Sequence, residues 1–222
     1  MAEYASHVAS EIVPATAAAR AAEFVDAFCD EGFFDLGATE LIARAASAAG
    51  LGVRLHADQL ALTGAAALGA RLAVASVDHL EQLDPAGVAA VAASRTVATL
   101  LPAPALVLRG ALPPARALLD AGAHVALASD ANAGTFSGFG AMPLVIGLAA
   151  TAMRMSVSEA LTAATSGSAA ALGLSRVAGA LAPGMAADVV AWDAEHEGGF
   201  ALTLGSVRPH RVWVGGREVR PA

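Results

Sequence analysis

Over the first 130 residues, short apolar runs alternate with stretches of helical periodicity. Phe24-Val25-Asp26-Ala27-Phe28 predicts a strand, and Thr39 to Ala49 a helix closed by Gly50. Val53 to Ala57 predicts the next strand, followed by a helix through Ala70. Leu72 to Val77 predicts a third strand. Pro85 to Ser94 predicts a helix with Asp84 at its N-cap and Pro85 in its first turn. Thr96 to Leu101 predicts a fourth strand, Pro113 to Ala121 a helix ending at Gly122, and Val125 to Ser129 a fifth strand. Strands that alternate with helices at intervals of roughly 20 to 30 residues predict an α/β fold with a parallel sheet. The pattern leaves a closed barrel and a doubly wound sheet both open. No glycine-rich phosphate fingerprint follows any of the strands, which argues against a dinucleotide-binding fold.

Beyond Asp130 lies a Gly-rich loop, then two helical patterns, Ala141 to Met153 and Ser156 to Leu172. The second opens with Ser156 and Glu159 in capping-box spacing. From Gly179 the texture changes. Gly184 to Asp193 and His210 to Val219 predict short strands, with a turn at Gly215-Gly216. This tail has the pattern of a small β appendage. The expected division is 1–178 for the βα part and 179–222 for the appendage.

The chain has 222 residues, 56% of them hydrophobic and 15% charged, which excludes disorder. Much of the apolar content is alanine, a strong helix former. The net charge of −7 and the lack of any Lys/Arg cluster argue against nucleic acid as a partner. The apolar stretch Val97 to Leu108 is broken by Pro102 and Pro104, and Ala141 to Ala152 is too short to span a bilayer. No membrane partner is therefore expected. The N-terminus lacks the basic and apolar regions of a signal peptide. Cys29 is the single cysteine, so no internal disulfide forms, and a cytoplasmic location is expected.

Three polar residues fall at or just after the C-terminal ends of separate predicted strands: His56, His79 and Asp130. In a βα barrel those ends converge on one face, where active sites form. Two imidazoles and a carboxylate suit a divalent metal and a metal-activated water. His7, His124, His196 and His210 fall in surface-like or strand-start contexts and are expected to be structural or exposed. Cys29 is expected to be a small buried thiol.

At these positions the sequence resembles the imidazolonepropionases, ring-opening members of the metal-dependent amidohydrolases. The resemblance rests on Val25-Asp26-Ala27-Phe28-Cys29, Leu55-His56-Ala57-Asp58-Gln59-Leu60, Asp78-His79-Leu80-Glu81 and Ser129-Asp130-Ala131-Asn132-Ala133-Gly134-Thr135. The stretch Gly179 to Asp193 is similar to the segment by which many amidohydrolases return to a β-sandwich. The resemblance implies a partial (β/α)8 barrel of about five βα units with a small C-terminal β appendage. It implies hydrolysis of 4-imidazolone-5-propanoate to N-formimidoyl-L-glutamate with zinc or iron. His56 and Asp130 would bind the metal, and His79 and Asp130 would act in catalysis. Gln59, Asn132, Gly134 and Thr135 would contact substrate. Another amidohydrolase activity (a deaminase or cyclic amidase) and an inactive remnant are the alternatives.

The sequence departs from the family pattern in one respect that bears on chemistry. It contains no His-x-His pair, the family's source of two further metal ligands. By the resemblance, Met1 falls near the helix after the third barrel strand, so about three of the eight strands of a barrel are expected to lie outside the sequence. A homodimer, or a missing N-terminal fragment, is the expected protein partner, beside a small-molecule substrate.

Overall fold

The structure, a computed structural model, describes residues 1–134 and 141–219. It divides into two compact units, Met1–Thr99 with Ala117–His124, and Leu100–Arg116 with Val125–Ala222. Five strands follow one another in sheet order β1-β2-β3-β4-β5: β1 Phe24–Cys29, β2 Gly52–Ala57, β3 Ser76–His79, β4 Val97–Leu100 and β5 Val125–Leu127. The pairings β1 with β2, β2 with β3 and β3 with β4 are all parallel. The predicted α/β class is therefore observed, with a helix between each pair of successive strands.

In the first unit, helix α1 (Ala2–His7), a π turn (Val8–Ile12) and α2 (Val13–Ala18) precede β1. The sequence pattern did not predict these helices. Ala5 and Val8 pack with Ala38, Ile42, Val25 and Phe34. Helix α3 (Leu36–Ala48) starts where the Asp35 side chain accepts from the Ala38 N–H at 2.8 Å. Its buried residues, Ala38, Thr39, Ile42, Ala43 and Ala46, recur at helical spacing on one face. Helix α4 (Ala65–Leu72) lies close on the sheet: a Cβ at Gly69 would stand 2.5 Å from Val77 Cγ1. Helix α5 (Pro85–Ala92) carries the predicted cap, with Asp84 accepting from Gly87 N–H at 2.7 Å.

The third strand begins at Ser76 rather than Leu72. Helix α4 runs on through Leu72, and Ala73, at φ 52°, turns the chain. An alanine in the left-handed region leaves no glycine for a sequence pattern to register, so the apolar run Leu72 to Val77 hides the break. Likewise, Pro102 and Pro104 do not simply interrupt an apolar stretch. Pro102 opens helix α6 (Pro102–Val107), where its missing N–H costs nothing.

In the second unit, α7 (Ala115–Asp120) crosses the division between the units, and β5 is followed by α8 (Met142–Thr151). The predicted helix Ser156 to Leu172 is three segments: α9 (Val157–Thr162), a π turn (Ala163–Gly167) and α10 (Ser168–Ala171). Ser156 and Glu159 form the expected capping box. The π turn brings backbone against β5: the Ser168 hydroxyl donates to Leu127 O at 2.9 Å, and a Cβ at Gly167 would stand only 2.2 Å from Val125 O.

The tail forms an antiparallel sheet of β6 (Val189–Trp192), β7 (Pro209–Val214) and β8 (Arg217–Val219). Gly215 and Gly216 both have positive φ, as a tight hairpin between β7 and β8 requires. The predicted strand Gly184 to Asp193 is shorter than expected, and a short helix α11 (Gly199–Leu202) precedes β7. Trp192 meets Phe200 edge to face at 5.3 Å.

Candidate active site

Strand pleating gives the sheet of the first unit two unlike faces. On β2, Val53, Leu55 and Ala57 are buried, whereas Arg54 and His56 on the other face are only partly so. Register carries this second face across the strands. Phe28 pairs with His56, His56 with Asp78, and Asp78 with Thr99. One pleat earlier, Asp26 pairs with Arg54 and Arg54 with Ser76. A parallel sheet normally repeats apolar side chains on both faces. Here one face is instead built of carboxylates, an imidazole and hydroxyls.

His56 sits at the centre of this polar face. Its Nδ1 is 3.1 Å from Asp26 Oδ1. Its ring lies 5.5 Å from the Phe28 ring on one side and 5.2 Å from the His79 ring on the other. Asp26, His56 and Asp78 each offer a ligand atom, and these atoms lie within 4.8 Å of one another. The face also holds buried polar atoms that, among the described residues, make no hydrogen bond of ordinary geometry: Asp78 Oδ1, Ser76 Oγ and Thr99 Oγ1. Buried groups of this kind call for a further partner. Burial pushes the Asp78 carboxyl above its usual range, the nearby Thr99 and Ser76 hydroxyls pulling the other way. A mixed imidazole and carboxylate set with an unsatisfied carboxylate oxygen fits a divalent cation.

His79 ends β3. Strand alternation alone would place it with Val77 on the helix-covered face. Its own backbone lies at φ 80° and that of Leu80 at φ 71°, so the strand breaks there, and its ring meets His56. The ring is almost fully buried, and Nδ1 is 3.3 Å from Glu81 Oε1, a carboxylate that is itself buried. Glu81 therefore sets which nitrogen of His79 carries a proton.

Two further carboxylates build the loop that carries Gln59. Asp58 is fully buried, and its Oδ1 accepts from Thr63 N–H at 2.8 Å, Thr63 Oγ1 at 2.9 Å, Gly64 N–H at 2.8 Å and Ala65 N–H at 3.3 Å. Its Oδ2 accepts from Ala66 N–H at 3.0 Å. Asp58 thus caps the α4 N-terminus from outside the helix. Asp30, just after β1, accepts from the N–H groups of Gln59, Leu60 and Ala61 at 2.9, 2.7 and 3.0 Å. The Gln59 backbone is held in this way, and its side chain is partly exposed.

In the second unit, Asp130 follows β5 with φ 50° and is partly buried. Asn132 folds onto its own loop: its Nδ2 donates to Asp130 O at 2.8 Å, and its Oδ1 accepts from Gly134 N–H at 2.6 Å. Thr135 lies outside the described residues. His7, His124, His196 and His210 are exposed, as expected. Cys29 is buried, and burial pushes its thiol up, the Thr39 hydroxyl opposing the shift, so it is a poor nucleophile.

Asp26, Asp30, Asp58, Asp78 and Glu81 carry most of the polar architecture around the two imidazoles, and sequence reasoning gave none of them a role. One signal was available. A carboxylate in the middle of a predicted apolar strand, as in Phe24-Val25-Asp26-Ala27-Phe28, marks one face of that strand as polar.

Imidazoles and carboxylates gathered on and just beyond the strands of a parallel βα sheet are groups able to hold a divalent cation and to move protons. Residues 36–219 match the amidohydrolase family, and the chain belongs to it. Similar relatives are imidazolonepropionases. That of Ralstonia nicotianae is 44% identical over 204 residues, covering 91% of this chain and 50% of the relative. That of Caulobacter vibrioides is 44% identical over 214 residues (96% and 53%), and that of Acinetobacter baumannii 39% over 217 residues (97% and 54%). The chain thus spans about half the length of the curated relatives it matches. Among solved structures, the fold is similar to 5-methylcytosine deaminase from Klebsiella pneumoniae, with a TM-score of 0.76, 19% identity, and 96% of this chain and 59% of that one covered. It is also similar to a zinc-bound adenosine deaminase from Xanthomonas campestris, with a TM-score of 0.69, 21% identity, and 88% and 50% covered. These likenesses support the partial barrel architecture. No helix among the described residues is long and apolar enough to cross a membrane.

Proposed function

We propose that this chain forms part of the active site of an imidazolonepropionase, opening 4-imidazolone-5-propanoate to N-formimidoyl-L-glutamate. The observation that carries the proposal is the polar face around His56, where the imidazole faces Asp26 and the ring of His79 lies beside it. The similarity to relatives named imidazolonepropionase supports this choice of substrate.

His56 and Asp130 would hold a zinc or iron ion. When bound, such an ion supplies a hydroxide at neutral pH by lowering the pKa of its water. His79, oriented through Nδ1 by Glu81, would present Nε2 to the reacting carbonyl, and a proton on Nε2, with Glu81 balancing the imidazolium charge, would stabilise the developing negative charge. Asp130 accepts the proton of the attacking water and returns it to the leaving nitrogen. Gln59, Asn132, Gly134 and Thr135 bind the imidazolone ring and its propanoate arm. The 179–222 segment contributes to a composite β-sandwich. The reaction belongs in the cytoplasm, which the single buried thiol of Cys29 supports.

The sequence holds no His-x-His, so the family's full ligand set needs a second segment that carries one. The test is to assay imidazolone-propanoate hydrolysis by the chain with zinc or iron, alone and co-expressed with the N-terminal half of the Ralstonia relative. Weak or no turnover alone and restored turnover in the complemented protein are expected. A complemented, metal-loaded protein that opens no imidazolone but turns over another cyclic amide or an aminopurine would replace this reading with another amidohydrolase activity. A complemented protein with neither metal nor turnover would leave a chain without enzymatic function.

A further inference from the structure

We propose that Asp26 is a positioning residue: its carboxylate accepts the Nδ1–H of His56 and fixes the imidazole in the tautomer whose lone pair is on Nε2. The consequence for metal binding rests on the function proposed above, but the hydrogen bond and the tautomer do not.

The geometry comes from sheet register. Asp26 on β1 pairs with Arg54, one pleat below His56, while Phe28 pairs with His56 itself. The carboxylate therefore approaches the imidazole from the strand interior and meets Nδ1 at 3.1 Å. The Phe28 and His79 rings flank the His56 ring at 5.5 and 5.2 Å, which restricts its rotation about χ2. A neutral imidazole has one N–H and one lone pair. A carboxylate has no proton to donate in its charged form, so a nitrogen facing it must be the N–H. The lone pair is then left on Nε2, and the two ring nitrogens point in divergent directions. A histidine that ligates through one nitrogen and donates through the other to a carboxylate is oriented, made more basic and relieved of a choice between tautomers. Here the orienting carboxylate comes from the neighbouring strand, four residues before Asp30, which holds the Gln59 loop.

The experiment reads the tautomer directly on the 222-residue chain without metal. Long-range 1H–15N correlation spectra of 15N-labelled protein are recorded above about pH 8, where histidines are mostly neutral. His56 is assigned by comparison with His56→Gln. Wild type is expected to show Nδ1–H and a lone pair on Nε2. Asp26→Ala should move His56 mostly to the Nε2–H form, which is favoured in free imidazole side chains. Asp26→Asn, whose amide oxygen can still accept, should restore Nδ1–H. A wild-type His56 in the Nε2–H form, or an Asp26→Ala spectrum unchanged from wild type, would overturn the proposal. The wild-type measurement decides even if a variant does not fold. Zinc titration supplies the second arm, with Asp26→Ala expected to weaken binding by about 10- to 100-fold. Should wild type keep the Nδ1–H tautomer yet bind no zinc, the metal reading of the isolated chain fails while the role of Asp26 stands.

Discussion

Replacing Asp58 with alanine should cost more stability than almost any other single change in the first unit. The carboxylate is 0% exposed and receives five hydrogen bonds, from the backbone of Thr63, Gly64, Ala65 and Ala66 and from the Thr63 hydroxyl. Hydrogen bonds to a charged group contribute about 1.5–3 kcal/mol each, and five such terms added together would rival the whole stability of a domain. They do not add, because the loop at Thr63 and Gly64 can open and let water reach its donors. Ala65 and Ala66 are different. Both are 0% exposed, so their N–H groups would stay buried without an acceptor, at about 1–3 kcal/mol each. The expected loss is about 3–5 kcal/mol. Asp58→Asn separates geometry from charge. An amide oxygen in the Oδ1 position keeps four of the contacts, but its NH2 then faces the Ala66 N–H, donor against donor. That variant should lose about 1–3 kcal/mol. Urea unfolding monitored by circular dichroism gives both numbers, read from the midpoint at unchanged slope. If Asp58→Ala unfolds within about 1 kcal/mol of wild type, the loop is not held by this carboxylate and the reasoning is refuted.

Other outcomes follow from the second unit and from His79. Glu159 joins the capping box to a bidentate pair with Arg116, which holds its carboxyl at about 2, below the ordinary 4.5. A depressed folded-state pKa stabilises above the unfolded pKa and loses that contribution as pH falls through the folded one. Wild type should therefore exceed Glu159→Gln by about 1 kcal/mol at neutral pH, and urea midpoints should converge between about pH 5 and about pH 2. Gly167→Ala should lower the melting temperature. Helix propensity alone favours alanine by about 1 kcal/mol, but the new Cβ would stand 2.2 Å from Val125 O, and overpacking of this kind costs about 1–3 kcal/mol or more; a raised melting temperature would contradict the close approach. In a complemented, active protein, Glu81→Gln should lower kcat by about 10- to 100-fold with little change in KM, since it acts on the proton of His79; a pure KM effect would place Glu81 in substrate binding instead.

Much of this architecture was legible along the chain, for reasons that are local. Asp84 with Pro85, Ser156 with Glu159, and Gly215 with Gly216 act within a few residues of themselves, and each does in the structure what its spacing implies. His56 and His79 could be placed because strand ends follow from apolar runs. What could not be read depends on register or on close approach. The bond from Asp26 to His56 joins residues thirty apart and exists only because β1 pairs with β2 at one particular offset. Asp58 and Asp30 look like surface loop residues until the loop folds back over them. The π turn at Ala163–Gly167 keeps helical periodicity in sequence while shifting the backbone against β5.

The left-handed backbone at Asp58, His79, Leu80 and Asp130 has an evolutionary consequence. Each residue sits in a conformation that glycine adopts freely and that costs other residues roughly 1 kcal/mol or more. Selection for thermal endurance alone would drift toward glycine at the positions where side-chain contacts do not resist it. The burial of Asp58, His79 and Leu80 resists that drift. A library sorted by heat and blind to turnover would therefore report, position by position, how firmly packing holds each of these side chains against its own backbone preference.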